Sequence, residues 1–218
     1  MNDILFIVLF FVVLPAIAVY FIRRYRQGVR RSLRELASMR GFEVDFKDSR
    51  LPPDLNFLSE LWKMEEYAVH GRILGSFGSI SMRLLDFGRG TVCALLTHRT
   101  QVSRITIVLT NERFNLQMFA QKRFLSMPRI KDMEAVGTSA NFVERFEIYS
   151  NDSVDDLRRF LSPELQDWLL SRAESTPVIL DAESNVVAFR TKRLETRKEM
   201  EDFLHSVEKI SSVFDTSF

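Results

Sequence analysis

Few residues of this chain have the type and spacing for chemistry. His70, His98 and His205 are its three histidines, each isolated from the second His or Cys that a metal site needs at ligand spacing, so no metal is expected. His98 ends an apolar run beside Arg99, and His205 adjoins Leu204 on an amphipathic stripe; both are ordinary boundary positions. Cys93 is the one cysteine. It lies within Thr91-Val92-Cys93-Ala94-Leu95-Leu96, where a thiol behaves as a small core hydrophobe with nothing nearby to lower its pKa. A lone cysteine excludes an intramolecular disulfide and suits a reducing compartment. The glycine-rich stretch Gly71–Gly78 lacks the Lys-Ser/Thr ending of a phosphate loop and reads as a hairpin turn. Asp155-Asp156 and Glu65-Glu66 are paired in sequence only, because adjacent side chains diverge. With no Walker loop, dinucleotide fingerprint, nucleophile elbow, kinase or zincin signature, the sequence names no catalytic or cofactor-binding residue, and no cofactor or enzymatic activity is expected.

The remaining chemistry is charge. Arg23, Arg24, Arg26, Arg30 and Arg31 follow nineteen uncharged residues, Ile4–Ile22, of which fifteen are Ile, Leu, Val or Phe. A helix of that length reaches about 28 Å, close to a hydrocarbon core of about 30 Å. One transmembrane pass is therefore expected, kinked at Pro15, which removes the amide that would bond the carbonyl of Phe11. Ala16-Ile17-Ala18 imitates a signal-peptide cleavage site. However, the start Met1-Asn2-Asp3 carries no basic residue, the apolar run is long and arginines follow it, so an uncleaved anchor is the reading. The positive-inside rule places the N-terminus outside and the rest in the cytoplasm, at a bacterial inner membrane. The five arginines would then contact anionic lipid, at about 1 kcal/mol each.

Residues 23–40 hold seven arginines and one acid, Glu35, which leaves 23 basic and 27 acidic residues for 41–218. A nucleic-acid binder carries its basic face through the folded part; this body is mildly acidic, and no nucleic-acid partner is expected. Its length suits one domain, so the organisation read is an anchor with a basic helical neck over 1–40 and a cytoplasmic α+β domain over 41–218.

The neck should stay helical to Arg40, with Val29, Leu33, Leu36 and Met39 at helical spacing and Gly41 as its stop. Phe42–Phe46 alternates as a strand, Pro52-Pro53 breaks it, and Asp54–Met64 forms a short helix with Leu55, Leu58, Leu61 and Trp62 inward. Strands follow at Tyr67–Leu74, Ser79–Asp86, Thr91–His98, Arg104–Leu109, Arg113–Phe119 and Glu144–Tyr149. Their short connections predict antiparallel pairing between sequence neighbours. Ser153 and Ser162-Pro163 start two helices. Val178–Leu180 and Val186–Phe189 form a hairpin. Thr196-Arg197-Lys198-Glu199 is a capping box before the stripe Met200, Phe203, Leu204, Val207, Ile210 and Phe214, which should pack on the sheet. The fold class expected is α+β: an N-terminal transmembrane helix, then a twisted antiparallel sheet with helices mainly on one face.

Leu51-Pro52-Pro53-Asp54-Leu55, Asp86-Phe87, Val92–Leu96, Phe146–Ser150 with Asp152, and Leu161-Ser162-Pro163 occur in an order that resembles an uncharacterised bacterial family of membrane-anchored proteins with a cytoplasmic α+β domain. The resemblance covers Leu33–Phe214 and departs at Phe87-Gly88, where such relatives often carry an aromatic. It implies topology and fold and transfers no catalytic residue.

The functional expectation is a single-pass accessory protein whose non-catalytic module binds a protein partner at the inner membrane, with lipid met through residues 4–22 and the arginine collar. The oligomeric state is open. The alternatives are an anionic-lipid-responsive sensor, and a membrane-bound enzyme whose site is assembled from distant residues. A deep pocket with convergent polar groups would favour the enzyme.

Overall fold

Val29, Leu33, Leu36 and Ala37 recur at i, i+4, i+7 and i+8, and all four are buried on helix α1, Leu14–Arg40. In the computed structural model, which describes residues 10, 13–46, 50–61, 69–87, 90–97, 102–110, 126–175 and 177–216, the inner side of this helix is part of the core. It stops where the sequence places the stop. Gly41 sits at φ +66°, and its amide and that of Phe42 both return to the Ala37 carbonyl, the left-handed termination that only glycine adopts without strain.

The transmembrane helix is corrected. Among the described residues no helix is long and apolar enough to cross a membrane. The uncharged part of α1, Leu14–Ile22, is nine residues, about 13.5 Å, before the arginines begin. Residues 4–9, 11 and 12 of the apolar run lie outside the described residues. The expected single transmembrane pass falls with the span, and the sheet with its helices stays. Pro15 is the second residue of α1, and Phe10 and Val13 ahead of it are in π-helical geometry, so the winding changes where the proline withholds its amide.

Among the described residues the sheet has eight strands, every pair antiparallel. They are β1 (Glu43–Asp45), β2 (Val69–Phe77), β3 (Ile80–Phe87), β4 (Gly90–Leu96), β5 (Val102–Leu109), β6 (Phe146–Ser150), β7 (Val178–Ser184) and β8 (Val186–Lys192), in the order β1-β2-β3-β4-β8-β7-β5-β6. β2, β3 and β4 form the expected meander. β5 does not continue it, because the β7–β8 hairpin enters between β4 and β5 with Val92 opposite Arg190 and Thr106 opposite Asp181. The expected strand Arg113–Phe119 lies outside the described residues.

Gly75 was read as part of a turn, but it is inside β2. A Cβ there would lie 2.5 Å from the Phe42 ring, and one at Gly71 would lie 2.8 Å from Leu33 and 2.9 Å from Phe46. Both glycines let the α1–β1 connection lie flat on the sheet. The turn is made by Gly78, at φ +60°.

Most helices cover one face. α1 is joined there by α3 (Ala140–Arg145), α4 (Val154–Phe160), α5 (Pro163–Ser175), α6 (Arg197–Ser211) and α7 (Val213–Thr216). Their inward residues, among them Phe142, Leu157, Leu169, Phe203 and Phe214, form one cluster with Ile73, Leu84, Cys93, Ile107, Leu180 and Phe189. The α6 capping box is present, and the predicted stripe is buried. Leu85, Val92, Ala94, Val108 and Ala188 line the other face under a short strap, a 3-10 turn Pro53–Leu55 and helix α2, Asn56–Leu61. Asp54 pairs with Arg83 of β3, and Glu60 reaches Arg104 of β5 at 3.3 Å, which ties the strap down at both ends.

Candidate functional site

The chain meets itself most polarly at the root of α1. Asp86, near the end of β3, is 1% exposed and takes two hydrogen bonds from Arg193, from Nε at 3.1 Å and Nη2 at 3.0 Å. The same guanidinium lies 4.7 Å from the centre of the Tyr25 ring, a cation–π contact. The Tyr25 hydroxyl donates to Glu195, and Ser32 Oγ donates to the Glu195 carbonyl at 3.3 Å. Thr91 Oγ1 accepts from the Leu194 amide at 3.0 Å. Residues 193–195 therefore clamp α1 to β3 and β4, between the end of β8 and the start of α6.

The electrostatics suit a clamp. Burial pushes the Asp86 carboxyl above its ordinary range, opposed by the hydrogen bonds and charge of Arg193. Burial and then the hydrogen bond to Glu195 push Tyr25 up to about 12, so the phenol keeps its proton and its donor role at neutral pH. His70 on β2 is pushed down by burial, then by Arg26, Arg193 and Arg30. These groups hold charges in place; no nucleophile stands among them beside a base.

The five collar arginines are all exposed on α1, yet they do not form one stripe. At about 100° per residue, Arg26 falls in the sector of the buried face one turn before it, Arg30 borders that face, Arg23 lies just beyond, and Arg24 and Arg31 point the opposite way. Arg30 and Arg34 lie 5.4 and 5.0 Å from the Phe46 ring centre. Arg31 pairs with Glu35 at 2.8 Å, and Arg24 donates to the Tyr20 hydroxyl at 3.4 Å. The structure splits the collar between the body and solvent.

Beyond the clamp α1 projects with apolar residues on every side. Leu14, Ile17, Val19, Tyr20, Phe21 and Ile22 are all exposed, Phe21 at 61%. Among the described residues, an apolar helix bare on all sides departs from an ordinary protein surface.

The other residues singled out in sequence have structural places. Cys93 is fully buried, and burial pushes its thiol up. Asp156 accepts from Ser153 Oγ at the start of α4, and Asp155 pairs with Arg158 at 3.2 Å. His205 is exposed, 3.8 Å from Glu208. His98 and Glu65-Glu66 lie outside the described residues. Among the described residues no group of His, Cys, Asp and Glu could hold a metal. A shallow open recess of about 290 Å³ between α3 and α5 is lined by Asn141, Glu144, Arg145, Leu170, Ser171 and Glu174. The Arg145–Glu174 pair there, at 3.1 Å, is exposed.

Sequence reasoning missed Tyr25, Asp86, Arg193 and Glu195. The one available signal was an acid, Asp86, set between the apolar Leu84-Leu85 and Phe87 near the end of its strand. It also missed the polar row under the strap, where Arg104 meets Glu183 and Thr106 donates to Asp181 at 2.9 Å, with Arg190 Nε 3.8 Å from the same carboxylate.

No family model and no curated protein matches this chain. Among solved structures it is similar to the mycobacterial trehalose monomycolate transport factor A, TtfA, at a TM-score of 0.57 and 17% identity, over 88% of this chain and 98% of that one. The likeness is one of fold.

Proposed function

We propose that this protein is a non-catalytic accessory module that binds a protein partner through the projecting end of α1. The observation that carries this reading is the exposed apolar surface of Leu14–Ile22, held in a fixed direction by the Tyr25–Arg193–Asp86 clamp. Contiguous exposed apolar surface marks an interaction site, and a clamped helix presents it without the ordering cost of a loose segment. The fold shared with TtfA, which is named as a transport factor, supports an accessory role over a catalytic one.

The test is affinity isolation of the full chain and of its Ile17→Arg, Phe21→Arg variant from the cell of origin, compared by quantitative mass spectrometry. The reading expects a protein enriched with the parent chain and lost with the variant. Identical sets of captured proteins would overturn it.

A further inference from the structure

The chemistry of the α1 surface identifies its partner more closely. We propose that the projecting end of α1 seats in an apolar groove rimmed by carboxylates on a different protein, and not against a second copy of this chain; this rests on the protein-partner reading above. From Leu14 to Arg34 the helix carries six arginines and no Asp or Glu. Arg30 and Arg34 are occupied by Phe46, and Arg31 by Glu35. Arg23, Arg24 and Arg26 are exposed and meet no carboxylate among the described residues. At about 100° per residue these three span roughly 160° of the helix circumference. They make a positive half-ring immediately beyond the apolar turns.

That arrangement argues against self-association. A parallel pair of α1 helices would set each arginine beside its own copy. An antiparallel pair matched over Leu14–Ile22 would place Arg23 of each helix beside apolar residues of the other, far from the one acid of α1, Glu35, which is already paired with Arg31. A groove with an acidic rim meets both halves of the surface at once: its floor covers the apolar residues, and its rim pairs with the half-ring and fixes which way the helix enters.

The experiment uses the purified full chain and three labelled amphipathic helical peptides that share a leucine face and differ in having Glu, Gln or Lys on the polar face. Binding is read by fluorescence anisotropy at low and high salt. The Glu peptide should bind about tenfold more tightly than the Gln peptide, as three exposed ion pairs would give, with the Lys peptide weakest and the advantage fading in salt. Reversing Arg23→Glu, Arg24→Glu and Arg26→Glu together should invert the order, and Ile17→Arg should weaken all three peptides. Equal binding of the Glu and Gln peptides overturns the acidic partner while leaving the protein-partner reading standing. Unchanged binding of every peptide to the Ile17→Arg variant overturns that reading as well. Two further outcomes overturn the inference: sedimentation as a dimer that Ile17→Arg dissolves, and displacement of the Glu peptide by phosphatidylglycerol vesicles.

Discussion

Replacing Asp86 by Ala tests the clamp at its centre. The carboxylate is 1% exposed, and its partner Arg193 keeps a side-chain exposure of 14%. Removing the acid strands a nearly buried guanidinium that has lost both hydrogen bonds. Breaking a buried pair from one side costs about 3 to 5 kcal/mol, a large part of the roughly 5 to 15 kcal/mol that holds a domain folded. Burial already disfavours the ionised Asp86, so the pair offsets little more than its own desolvation. The double variant Asp86→Leu, Arg193→Met should therefore return to within about 1 kcal/mol of the parent. Trp168 reports the transition, since it packs edge-on against Phe189 at 5.0 Å and donates from Nε1 to the Ser206 carbonyl at 2.9 Å. With a urea dependence of about 2 kcal/mol per molar, the midpoint of Asp86→Ala should fall by about 1.5 M or more with unchanged slope. Hydrogen exchange should accelerate in α1 around Tyr25 to Leu33 because Arg193 also covers Tyr25. A midpoint within about 0.3 M of the parent would refute the reasoning, by showing that Arg193 finds water without penalty.

Other predictions rest on single contacts. The folded-state pKa of Asp86 lies above its ordinary 3.8, so its contribution to stability is complete below that value and is lost as pH rises through the folded one. Asp86→Asn should therefore flatten the decline of stability on the alkaline side of pH 4 in urea titrations. Tyr25 is held up to about 12 against an ordinary 10, so its contribution is whole below pH 10 and is lost as pH climbs toward 12; the difference in absorbance titration between the parent and Tyr25→Phe should be a late phenol. Gly75→Ala drives a methyl into the Phe42 ring and should cost about 1 to 3 kcal/mol, less when Phe42 is also Ala, as a double-mutant cycle will show. Thr196→Ala removes the Thr196 half of the α6 capping box and should cost about 1 kcal/mol by denaturation.

What the sequence made legible was local. The α6 stripe, its capping box, the Gly41 stop and the β2–β3–β4 meander each depend on residues within a few positions of one another, so periodicity and turn chemistry suffice. The separation of β4 from β5 was not legible, since a hairpin some 80 residues later enters between them. Gly75 misled for a related reason: a turn glycine and one that admits the Phe42 ring look alike until the ring is placed. The clamp was hidden by distance, with 107 residues between Asp86 and Arg193 and 170 between Tyr25 and Glu195. The arginine collar was seen as one patch because composition does not show which side of a helix a residue faces. The run Ile4–Ile22 was read by length and apolarity as a span, whereas among the described residues its apolar helical part is short and joins a helix whose later turns are core.

The most direct measurement of the central claim is photocrosslinking from α1 itself. A photoreactive residue at Ile17 of the full chain, in its own cell, should give a discrete heavier species containing a second protein; the same residue at exposed Asp155 on α4 should give none. Ile17 labelling that yields no protein adduct, or the same adducts as Asp155, would contradict the account.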